Sequence, residues 1–434
     1  MIYHFIGIKG TGMGALAQFM FDLGYNVQGS DKTEHFFTED ALVEKGIKIL
    51  PFDANNITEG MNIIQGNAFG DDNVEVIRAK ELGLKIYTYQ EMIGYFTKMF
   101  CTITVAGCHG KTTTSAMLSH VLNNTIGTNY LIGDGSGHSN KENKHFVLEA
   151  CEWKRHFLAY TPTYAIITNI ELDHIDYYKD IDDMISAYQE YANKATKMVV
   201  ACGDDPCTDK INYEKPVVFY GLDDKNDVVA KNVDYHNDGT DFDVYIHGKL
   251  YGHFRLPLFG KHMLLNSLAV ITVCYKEGID ITDISKYLNT FQGAKRRFKE
   301  NIIGDIVTID DYAHHPTEVA VTIKGARQKY PDKTIVAILM IHTYSRAREF
   351  EQQFADALNL ADKAYVTDVY MDRKEDCEPY DVKNLIKLLH DGEHISLEDI
   401  DKLLQYKNAV MLFMSSKAIY VLKDEYEKKL QENV

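Results

Sequence analysis

The stretch that most constrains this chain is an apolar run that ends at a glycine-rich loop carrying a lysine. Thr102-Ile-Thr-Val-Ala106 is β-branched and apolar, Gly107-Cys-His-Gly-Lys-Thr-Thr-Thr114 follows it, and residues 115–122 have helical periodicity. Strand, glycine loop and helix in this order predict a phosphate-binding loop, because glycines let backbone N–H groups point at an anion beside a helix N-terminus. An ordinary glycine-rich turn with an incidental lysine is the structural alternative.

Two side chains of this loop carry the chemistry that a bound nucleotide needs. Lys111 would reach the β- and γ-phosphates, and the Thr112 hydroxyl would ligate Mg²⁺. Only Cys108 and His109 separate the two glycines, so the loop is shorter than the common phosphate-loop spacing. The sequence therefore predicts a nucleotide site that belongs to a particular subclass.

Length and composition narrow the class of protein. The chain has 434 residues, which exceeds one hydrophobic core, and we expect three domains. A net charge of −17 argues against a nucleic-acid surface and against an anionic membrane surface. The seven cysteines include no C-x-x-C pair, and no apolar run reaches the roughly 18 residues that span a bilayer. The sequence predicts neither a disulfide framework nor a zinc site, and it favours the cytoplasm.

A second strand, turn and helix open the chain. The apolar residues 2–8 run into a glycine turn, residues 16–23 have the pattern of an amphipathic helix, and Ser30 and Asp31 follow the glycines by about 20 positions, as in a dinucleotide fingerprint. A tight turn without a ligand is the alternative. The turn residues predicted to approach a phosphate closely are Gly10, Thr11, Gly12, Met13 and Gly14.

Acidic residues and a histidine follow two apolar runs of the central segment. The run that begins at Phe146 ends at Glu149, and residues 164–170 are followed within four positions by His174. Carboxyl ends of strands in open α/β sheets are where ligands bind. Mg²⁺ prefers hard oxygen ligands, so a candidate metal site is formed by Thr112 and Glu149 together with His174. A hydrogen-bonded strand-end histidine is the alternative reading of His174.

The last third of the chain has the pattern of another α/β domain. A strand at 306–309 leads to Asp310-Asp-Tyr-Ala-His-His-Pro316, and a helix is predicted from Thr317 through Lys329. A buried strand at 334–341 then leads to His342, Ser345 and Arg346. The predicted domain boundaries place the three domains at 1–98, 99–294 and 295–434.

Five segments stand out along the chain, which are Gly107–Thr114, Thr168–His174, Gly260–Asn266, Arg296–Phe298 and Asp310–Glu318. In this order they resemble the Mur ligases, which are ATP-dependent cytoplasmic enzymes that add amino acids to the peptidoglycan precursor. The N-terminal glycine turn, the His314-His315 pair and His342-Thr-Tyr-Ser-Arg346 are similar to the members that join L-alanine to UDP-N-acetylmuramate.

The resemblance implies an α/β protein with an N-terminal Rossmann-like UDP-binding domain and a central P-loop ATPase-like domain. A C-terminal Rossmann-like domain would bind the amino acid and close on ATP. ATP would phosphorylate the lactyl carboxylate of UDP-N-acetylmuramate, and the amine of L-alanine would attack the resulting acyl phosphate. The implied cofactors are ATP and Mg²⁺, with Mn²⁺ as a possible substitute. The expected partners are these small-molecule substrates, with no nucleic acid and no membrane, and the expected state is a monomer or a weak homodimer.

The resemblance also assigns roles to individual residues. Those implied to bind ATP are Gly107, Cys108, His109, Gly110, Lys111, Thr112, Thr113, Asn266 at adenine, Arg297 at the phosphates and Asp311 near the ribose. Those implied to hold the metal are Thr112, Glu149 and His174. Those implied to act in catalysis with Lys111, by aligning the acyl phosphate and the amino acid, are His314, His342 and Arg346. Those implied to hold the UDP part are Gly10, Thr11, Gly12, Met13, Gly14, Ser30 and Asp31.

Structural alternatives remain for several of these residues. Arg297 could be a surface arginine, and Asp311 could cap the turn that follows it. His315 is expected to be structural because Pro316 follows it. The loop amides and Lys111 could lower the thiol pKa of Cys108, or this residue could simply fill the loop.

Three other functions compete with the amino-acid ligase. A murein-peptide recycling ligase would attach a ready-made tripeptide to the same nucleotide sugar and would share most of the motifs. A dinucleotide-dependent oxidoreductase would use the N-terminal glycines but would leave the lysine loop without a role. A non-catalytic nucleotide sensor would use ATP to drive domain closure towards a protein partner.

Overall fold

The computed structural model describes residues 1–36, 38–175, 177–295, 297–371 and 378–432. Arg296, the first residue of the Arg-Arg-Phe segment, lies outside these ranges. The chain forms two compact units. The first contains residues 1–231, 244–252 and 265–291, and the second contains residues 232–243, 253–264 and 292–434.

The first sheet has five strands and is parallel throughout. Its strands are β1 (Ile2–Ile6), β2 (Asn26–Ser30), β3 (Lys48–Leu50), β4 (Asn62–Gln65) and β5 (Ile86–Thr88). Its helices are α1 (Thr11–Asp22), α2 (Glu39–Glu44), α3 (Val74–Glu81) and α4 (Tyr89–Thr97). The strand order β3-β2-β1-β4-β5 reverses direction at β1, so the glycine turn between β1 and α1 lies at the switch point where such sheets bind ligands.

The second sheet has ten strands. They are β6 (Cys101–Ala106), β7 (Thr128–Leu131), β8 (Gly137–His138), β9 (His145–Glu149), β10 (Tyr164–Ile167), β11 (Met198–Cys202), β12 (Val217–Gly221), β13 (Val228–His236), β14 (Gly239–Ile246) and β15 (Lys249–Leu256). The helices of this segment are α5 (Lys111–Asn123), α6 (Ile181–Asn193), α7 (Lys261–Lys276) and α8 (Ile281–Leu288). The strand order is β15-β14-β13-β12-β11-β10-β6-β9-β7-β8, so β6, which precedes the lysine loop, lies between β10 and β9.

The third sheet has six strands. They are β16 (Lys299–Ile303), β17 (Ile306–Asp311), β18 (Thr334–Leu339), β19 (Lys363–Val366), β20 (Gly392–His394) and β21 (Ala409–Met414). The helices are α9 (Pro316–Lys329), α10 (Tyr344–Glu349), α11 (Glu351–Leu358), α12 (Lys383–Ile386) and α13 (Tyr420–Glu432). The order is β16-β17-β21-β18-β19-β20, and only the β16–β17 pair among its described strand pairs is antiparallel.

The α/β fold class with three sheet-containing domains is confirmed, whereas the boundaries at 98 and 294 stay predictions. Several element ends differ from the sequence-based prediction. β10 ends at Ile167, earlier than predicted, because the polar residues Thr168 and Asn169 leave the sheet to contact the glycine loop. β18 ends at Leu339, also earlier than predicted, although the apolar residues Met340 and Ile341 follow it. α5 begins at Lys111, four residues before the predicted start, since the lysine and the threonines form its first turn.

No helix within the described residues combines the length and the apolar character that crossing a membrane requires. The apolar faces of the helices are used in packing instead. In α1, eight consecutive residues from Met13 to Met20 are buried. They belong to a hydrophobic core that also contains side chains from the first and the second sheet. Burial of such apolar surface is the main favourable contribution to folding.

Candidate active site

The loop between β6 and α5 has the backbone of a phosphate-binding turn. Gly107 has φ of +141°, and Gly110, which precedes the first turn of α5, has φ of +81°. Residues other than glycine rarely adopt these positive φ values. A Cβ at Gly107 would lie 1.9 Å from Oγ1 of Thr168. Both glycines are therefore required by the conformation, as the sequence predicted for a loop that approaches an anion.

Thr168 and Asn169, which follow β10, hold this loop in place. The Thr168 hydroxyl donates to the carbonyl of His109 at 2.6 Å, and Nδ2 of Asn169 donates to the same carbonyl at 3.0 Å. The N–H of His109 donates to Oδ1 of Asn169 at 2.9 Å, and the N–H of Cys108 donates to the Asn169 carbonyl at 3.1 Å. The amides of Cys108 and His109 therefore stabilise the loop itself.

Lys111 is fastened to its own loop and to a buried carboxylate. Its Nζ donates to the carbonyl of Gly107 at 2.6 Å and lies 3.1 Å and 3.0 Å from the two carboxylate oxygens of Glu152. Burial acts to lower the pKa of Lys111, but the charges of Glu152 and Glu149 raise it above its ordinary value. The ammonium group is consequently protonated and directed at the loop, as a phosphate-neutralising cation must be.

Glu152 is the residue that the sequence analysis missed. Its side chain is 2% exposed, it pairs with Lys111, and its Oε1 lies 3.1 Å from Nε2 of His174. Burial acts to raise the pKa of Glu152, but Lys111 and the hydrogen bond with His174 hold it below its ordinary value. In the sequence Glu152 is simply the next acidic residue after Glu149, which ends β9, and which of the two reaches Lys111 depends on how the chain turns after that strand.

The three residues predicted to hold a metal lie at the start of α5, at the end of β9 and in the segment that follows β10. Thr112 is in the first turn of α5, Glu149 ends β9 opposite Val105 of β6, and Oε2 of Glu149 accepts a hydrogen bond from the N–H of Gly133 at 2.8 Å. His174 has φ of +52°, and its Nε2 lies 3.1 Å from Oε1 of Glu152. These hydroxyl, carboxylate and imidazole donors around a loop of this kind fit Mg²⁺ or Mn²⁺, although the assignment stays a prediction.

The two predictions for the thiol of Cys108 are resolved by its surroundings. Its Sγ donates to the carbonyl of Glu171 at 2.9 Å and accepts from the N–H of the same residue at 3.1 Å. Burial raises the pKa of this thiol well above its ordinary value. The structure therefore contradicts the lowered pKa and supports a residue that fills the loop.

Asn266 of α7 lies directly beside the loop. A Cβ at Gly110 would lie 2.6 Å from Oδ1 of Asn266, and the Asn266 side chain is buried. Within the part of the chain that the structure describes, Nδ2 of Asn266 has no hydrogen-bond partner. A buried amide donor of this kind calls for an acceptor, and a nucleotide at the loop would supply one, in agreement with the role that the resemblance implies.

The glycine turn after β1 is held by Asp31. One carboxylate oxygen of Asp31 accepts from the N–H of Lys9 at 2.7 Å, and the other accepts from the N–H of Lys32 at 2.8 Å. The Ser30 hydroxyl donates to the carboxylate of Glu75 in α3. The carbonyl of Ser30 accepts from the N–H of Gly7 at 2.9 Å, so the backbone of Ser30 is the part that faces the turn. The residues predicted to hold a UDP group lie at the start of α1 and at the end of β2, and hydrogen bonds of Ser30 and Asp31 with the backbone of the glycine turn connect the two segments.

In the second unit, Glu318 connects two of the predicted site residues. Nη1 of Arg297 lies 3.3 Å from Oε1 of Glu318, and Nδ1 of His314 lies 3.0 Å from Oε2. The guanidinium of Arg297 also lies 5.0 Å from the ring centre of Tyr312. Glu318 and His315 form a capping box at the start of α9, which confirms the structural role expected for His315.

Arg297 and Asp311 line a cavity of about 400 Å³ in the second unit. Both oxygens of Asp311 accept backbone N–H groups, from Phe298 and Ala313, each at 2.8 Å, and burial raises the pKa of the carboxyl group. Asp311 therefore caps the turn, as one alternative predicted, while it also borders the cavity. Phe259 and Lys329 complete a lining that combines an aromatic face with positive charge.

His342 and Arg346 follow β18 at the carboxyl edge of the third sheet. His342 forms an isolated parallel bridge with Tyr370, and the ring centres of the two residues lie 6.3 Å apart. Thr343 has φ of +77°, and Arg346 is in the short helix α10 that begins one residue later. His342 and Arg346 thus both follow β18. His314 follows β17, whereas Arg297 precedes β16 and is linked to His314 through Glu318.

Comparison with protein-family models finds the same family in three successive segments. Residues 2–100 match the model described as the Mur ligase family catalytic domain. Residues 105–274 match the Mur ligase middle domain, and residues 296–417 match the Mur ligase glutamate ligase domain. The three segments account for nearly the whole chain.

Solved structures show the same likeness. UDP-N-acetylmuramate-alanine ligase from Thermotoga maritima is 27% identical, with a TM-score of 0.81 and complete coverage of both chains. A murein peptide ligase from Psychrobacter arcticus is 23% identical, with a TM-score of 0.70, and covers 100% of this chain and 99% of its own. The MurF ligase from Thermotoga maritima, solved in complex with ADP, is 17% identical, with a TM-score of 0.64 over 94% of this chain and 96% of that chain. The chain belongs to the Mur ligase family of ATP-dependent ligases of peptidoglycan biosynthesis.

Proposed function

We propose that the chain joins L-alanine to the lactyl carboxylate of UDP-N-acetylmuramate, with ATP as the phosphate donor and an acyl phosphate as the intermediate. The observation that carries this proposal is the Lys111–Glu152–His174 arrangement beside the glycine loop. The full-length likeness to a UDP-N-acetylmuramate-alanine ligase supports the choice of substrates.

Phosphoryl transfer depends on position and charge more than on covalent chemistry by the protein. Lys111 supplies a fixed positive charge at the loop, and Glu152 keeps its ammonium group in place before the nucleotide binds. When the triphosphate enters, its oxygens become additional acceptors for that ammonium group. Pre-positioned donors of this kind stabilise a transition state because they need not reorganise during the reaction.

Thr112, Glu149 and His174 would hold Mg²⁺, with Glu152 as the adjoining carboxylate. A divalent cation there supplies positive charge that offsets the charge on the transferring phosphoryl group. Gly133 orients Glu149 through its N–H, and Glu152 orients His174, so both predicted ligands already have a partner that fixes their direction.

The second unit would handle the amino acid and the nucleoside. Arg297 and His314 share Glu318, which would hold both side chains until a phosphate or carboxylate group competes for them. Arg346 suits an amino-acid carboxylate because its planar guanidinium forms paired hydrogen bonds. Asp311 would lie near the ribose in the cavity that it lines. Asn266, which belongs to the first unit and lies beside the glycine loop, would contact adenine.

The test is phosphate release from ATP and Mg²⁺ with UDP-N-acetylmuramate, measured with and without L-alanine, together with the mass of the product. Release that needs both substrates, and a product heavier by one alanyl residue, would support the proposal. The matched variants are Glu152→Gln, which keeps the shape and removes the charge, and Glu190→Gln, which removes a carboxylate that pairs with Arg155 at the surface. We expect the first to lower turnover and the second to leave it unchanged.

A murein-peptide ligase is the second candidate because two of the similar solved structures are proteins of that kind. Phosphate release with the tripeptide L-alanyl-γ-D-glutamyl-meso-diaminopimelate but not with L-alanine would select it. Tight ATP binding without release in the presence of either amine would instead select a nucleotide sensor. The cytoplasmic location, the absence of nucleic-acid and membrane partners and the monomeric or weakly dimeric state stay predictions.

A further inference from the structure

Three potential metal ligands meet at the edge of the second sheet where its strands begin. Cys101 is the first residue of β6, His145 is the first residue of β9, and these two residues are register partners. Glu277 follows the last residue of α7. One ligand atom from each residue lies within 4.8 Å of the other two. The cysteine spacing along the chain predicted no zinc site, because the residues that meet here are far apart in sequence.

The carboxylate of Glu277 is held in one orientation. Its Oε2 lies 2.7 Å from Nε2 of His145, while its Oε1 accepts from Nζ of Lys197 at 3.0 Å and from the hydroxyl of Tyr164. One oxygen is thus anchored and the other is presented towards the imidazole. Carboxylates that ligate metals are commonly oriented in this way by outer hydrogen bonds.

We propose that Cys101, His145 and Glu277 form a binding site for a transition-metal ion of the Zn²⁺ type, at the opposite edge of the sheet from the predicted Mg²⁺ ligands. Thiolate, imidazole and carboxylate are the donors that Zn²⁺ takes, and Mg²⁺ avoids sulfur. Three protein ligands leave a fourth position for water. This inference does not depend on the proposed ligase activity.

Two further observations favour an ion of this class. The thiolate and the carboxylate would together balance two positive charges, so the site would be neutral around the metal. His145 and Glu277 are only 12% and 14% exposed, and Cys101 is half-buried, so the site is sheltered yet reachable from solvent. An ion there would tie the end of α7 to β6 and β9, and it should raise the thermal stability of the protein.

The probe is Co²⁺, which replaces Zn²⁺ and gives a near-ultraviolet charge-transfer absorption only when a thiolate is a ligand. The full-length, reduced protein is titrated with Co²⁺ in excess Mg²⁺, so that sites of oxygen ligands are already filled. We expect one Co²⁺ per chain with this absorption, its loss on addition of Zn²⁺, and a higher melting temperature in the presence of either metal.

Variants assign the signal to the three residues. Cys101→Ser should abolish both the absorption and the rise in melting temperature, whereas Cys207→Ser, which alters another half-buried cysteine, should leave both unchanged. If Cys101→Ser fails to fold, His145→Gln provides the same comparison. Absence of the absorption in the unaltered protein, or its persistence in the Cys101 and His145 variants, would overturn the proposal and leave a purely structural ion pair.

Discussion

The glycine turn after β1 and the glycine loop after β6 share one supersecondary pattern but use their lysines differently. Nζ of Lys9 donates to the carbonyls of Lys32 and Glu34 at 3.0 Å and 2.9 Å, and thereby fastens the segment that follows β2. Nζ of Lys111 remains over its own loop and pairs with a buried carboxylate. Glycines therefore predict that the backbone of a turn can approach a phosphate closely. Whether the turn can also neutralise a triphosphate depends on the partner that its lysine takes.

The largest expected difference between the two turns concerns Lys111→Ala and Lys9→Ala. We expect Lys111→Ala to reduce substrate-dependent phosphate release by about 10²–10³-fold, the usual effect of removing one pre-positioned donor of a transition state. Lys9→Ala should lower the melting temperature, because it removes a buried pair with Glu39 at 2.7 Å, but turnover at saturating substrate should change only a few-fold.

Both variants are compared in the phosphate-release assay, with melting temperatures measured on the same samples. Since Lys111→Ala leaves Glu152 without its cation, the double variant with Glu152→Gln separates lost catalysis from lost stability. Equal losses of turnover in the Lys9 and Lys111 variants would remove the distinction between the turns.

The backbone of the two turns provides the next comparison, through Gly107→Ala and Gly10→Ala. Gly107 has φ of +141° and no room for a Cβ beside Thr168, whereas Gly10 has φ of −59° and its nearest neighbour would be a carbonyl oxygen 3.4 Å away. We expect Gly107→Ala to lower the free energy of unfolding by about 2–3 kcal/mol and Gly10→Ala by less than about 1 kcal/mol.

Denaturant unfolding of both variants measures these free energies. Gly107→Ala combined with Thr168→Ala serves as the control for the contact with the threonine, since alanine removes the hydroxyl oxygen that the new Cβ would meet. Thr168→Ala alone accounts for the lost hydrogen bond to the His109 carbonyl. A loss for Gly10→Ala as large as that for Gly107→Ala would show that the N-terminal turn is equally constrained.

These two turns also show which parts of the site can be predicted from the sequence alone. The strand, loop and helix around Lys111 could be predicted because glycines, lysine and apolar periodicity are all local signals. Glu152 and Glu318 could not, because each acts through partners that the fold brings from elsewhere: Lys111 and His174 for the first, Arg297 for the second. Acidic residues without a fixed spacing to their partners leave no pattern in the sequence.

Asp31→Asn tests whether the N-terminal turn serves the nucleotide sugar rather than ATP. An amide cannot accept hydrogen bonds at both of its ends, so one of the N–H groups of Lys9 and Lys32 would lose its acceptor. Hydrogen bonds to charged groups contribute about 1.5–3 kcal/mol, and we expect KM for UDP-N-acetylmuramate to rise about tenfold while KM for ATP stays unchanged.

Steady-state kinetics with each substrate varied in turn checks this prediction. Asp53→Asn is the matched control, because Asp53 caps a short helical turn of the same sheet by accepting the N–H of Asn55 at 2.8 Å. A parallel rise in KM for ATP would contradict a separate role for the turn after β1.

The smallest expected effect concerns Glu75, a buried carboxylate in the N-terminal region that resembles Glu152 in its surroundings but lies away from the lysine loop. Burial acts to raise its pKa, but hydrogen bonds from His4, Ser30 and Asn56 outweigh burial and hold the pKa below its ordinary value of 4.5. Ionised Glu75 therefore stabilises the fold above about pH 4.5, and this stabilisation is lost as the pH falls through the pKa of the folded state.

We expect Glu75→Gln to lower the free energy of unfolding by about 1 kcal/mol at pH 7, and the difference from the unaltered protein to shrink as the pH falls below about 4.5. Unfolding in denaturant at a series of pH values provides the measurement, and Glu81→Gln, which removes an exposed partner of Arg78, is the control that should show little change at any pH. A difference that grows on acidification would mean that the pKa of folded Glu75 is raised instead. Burial of Glu75 would then outweigh its hydrogen bonds. At Glu152, by contrast, the positive charge of Lys111 contributes to a lowered pKa despite burial.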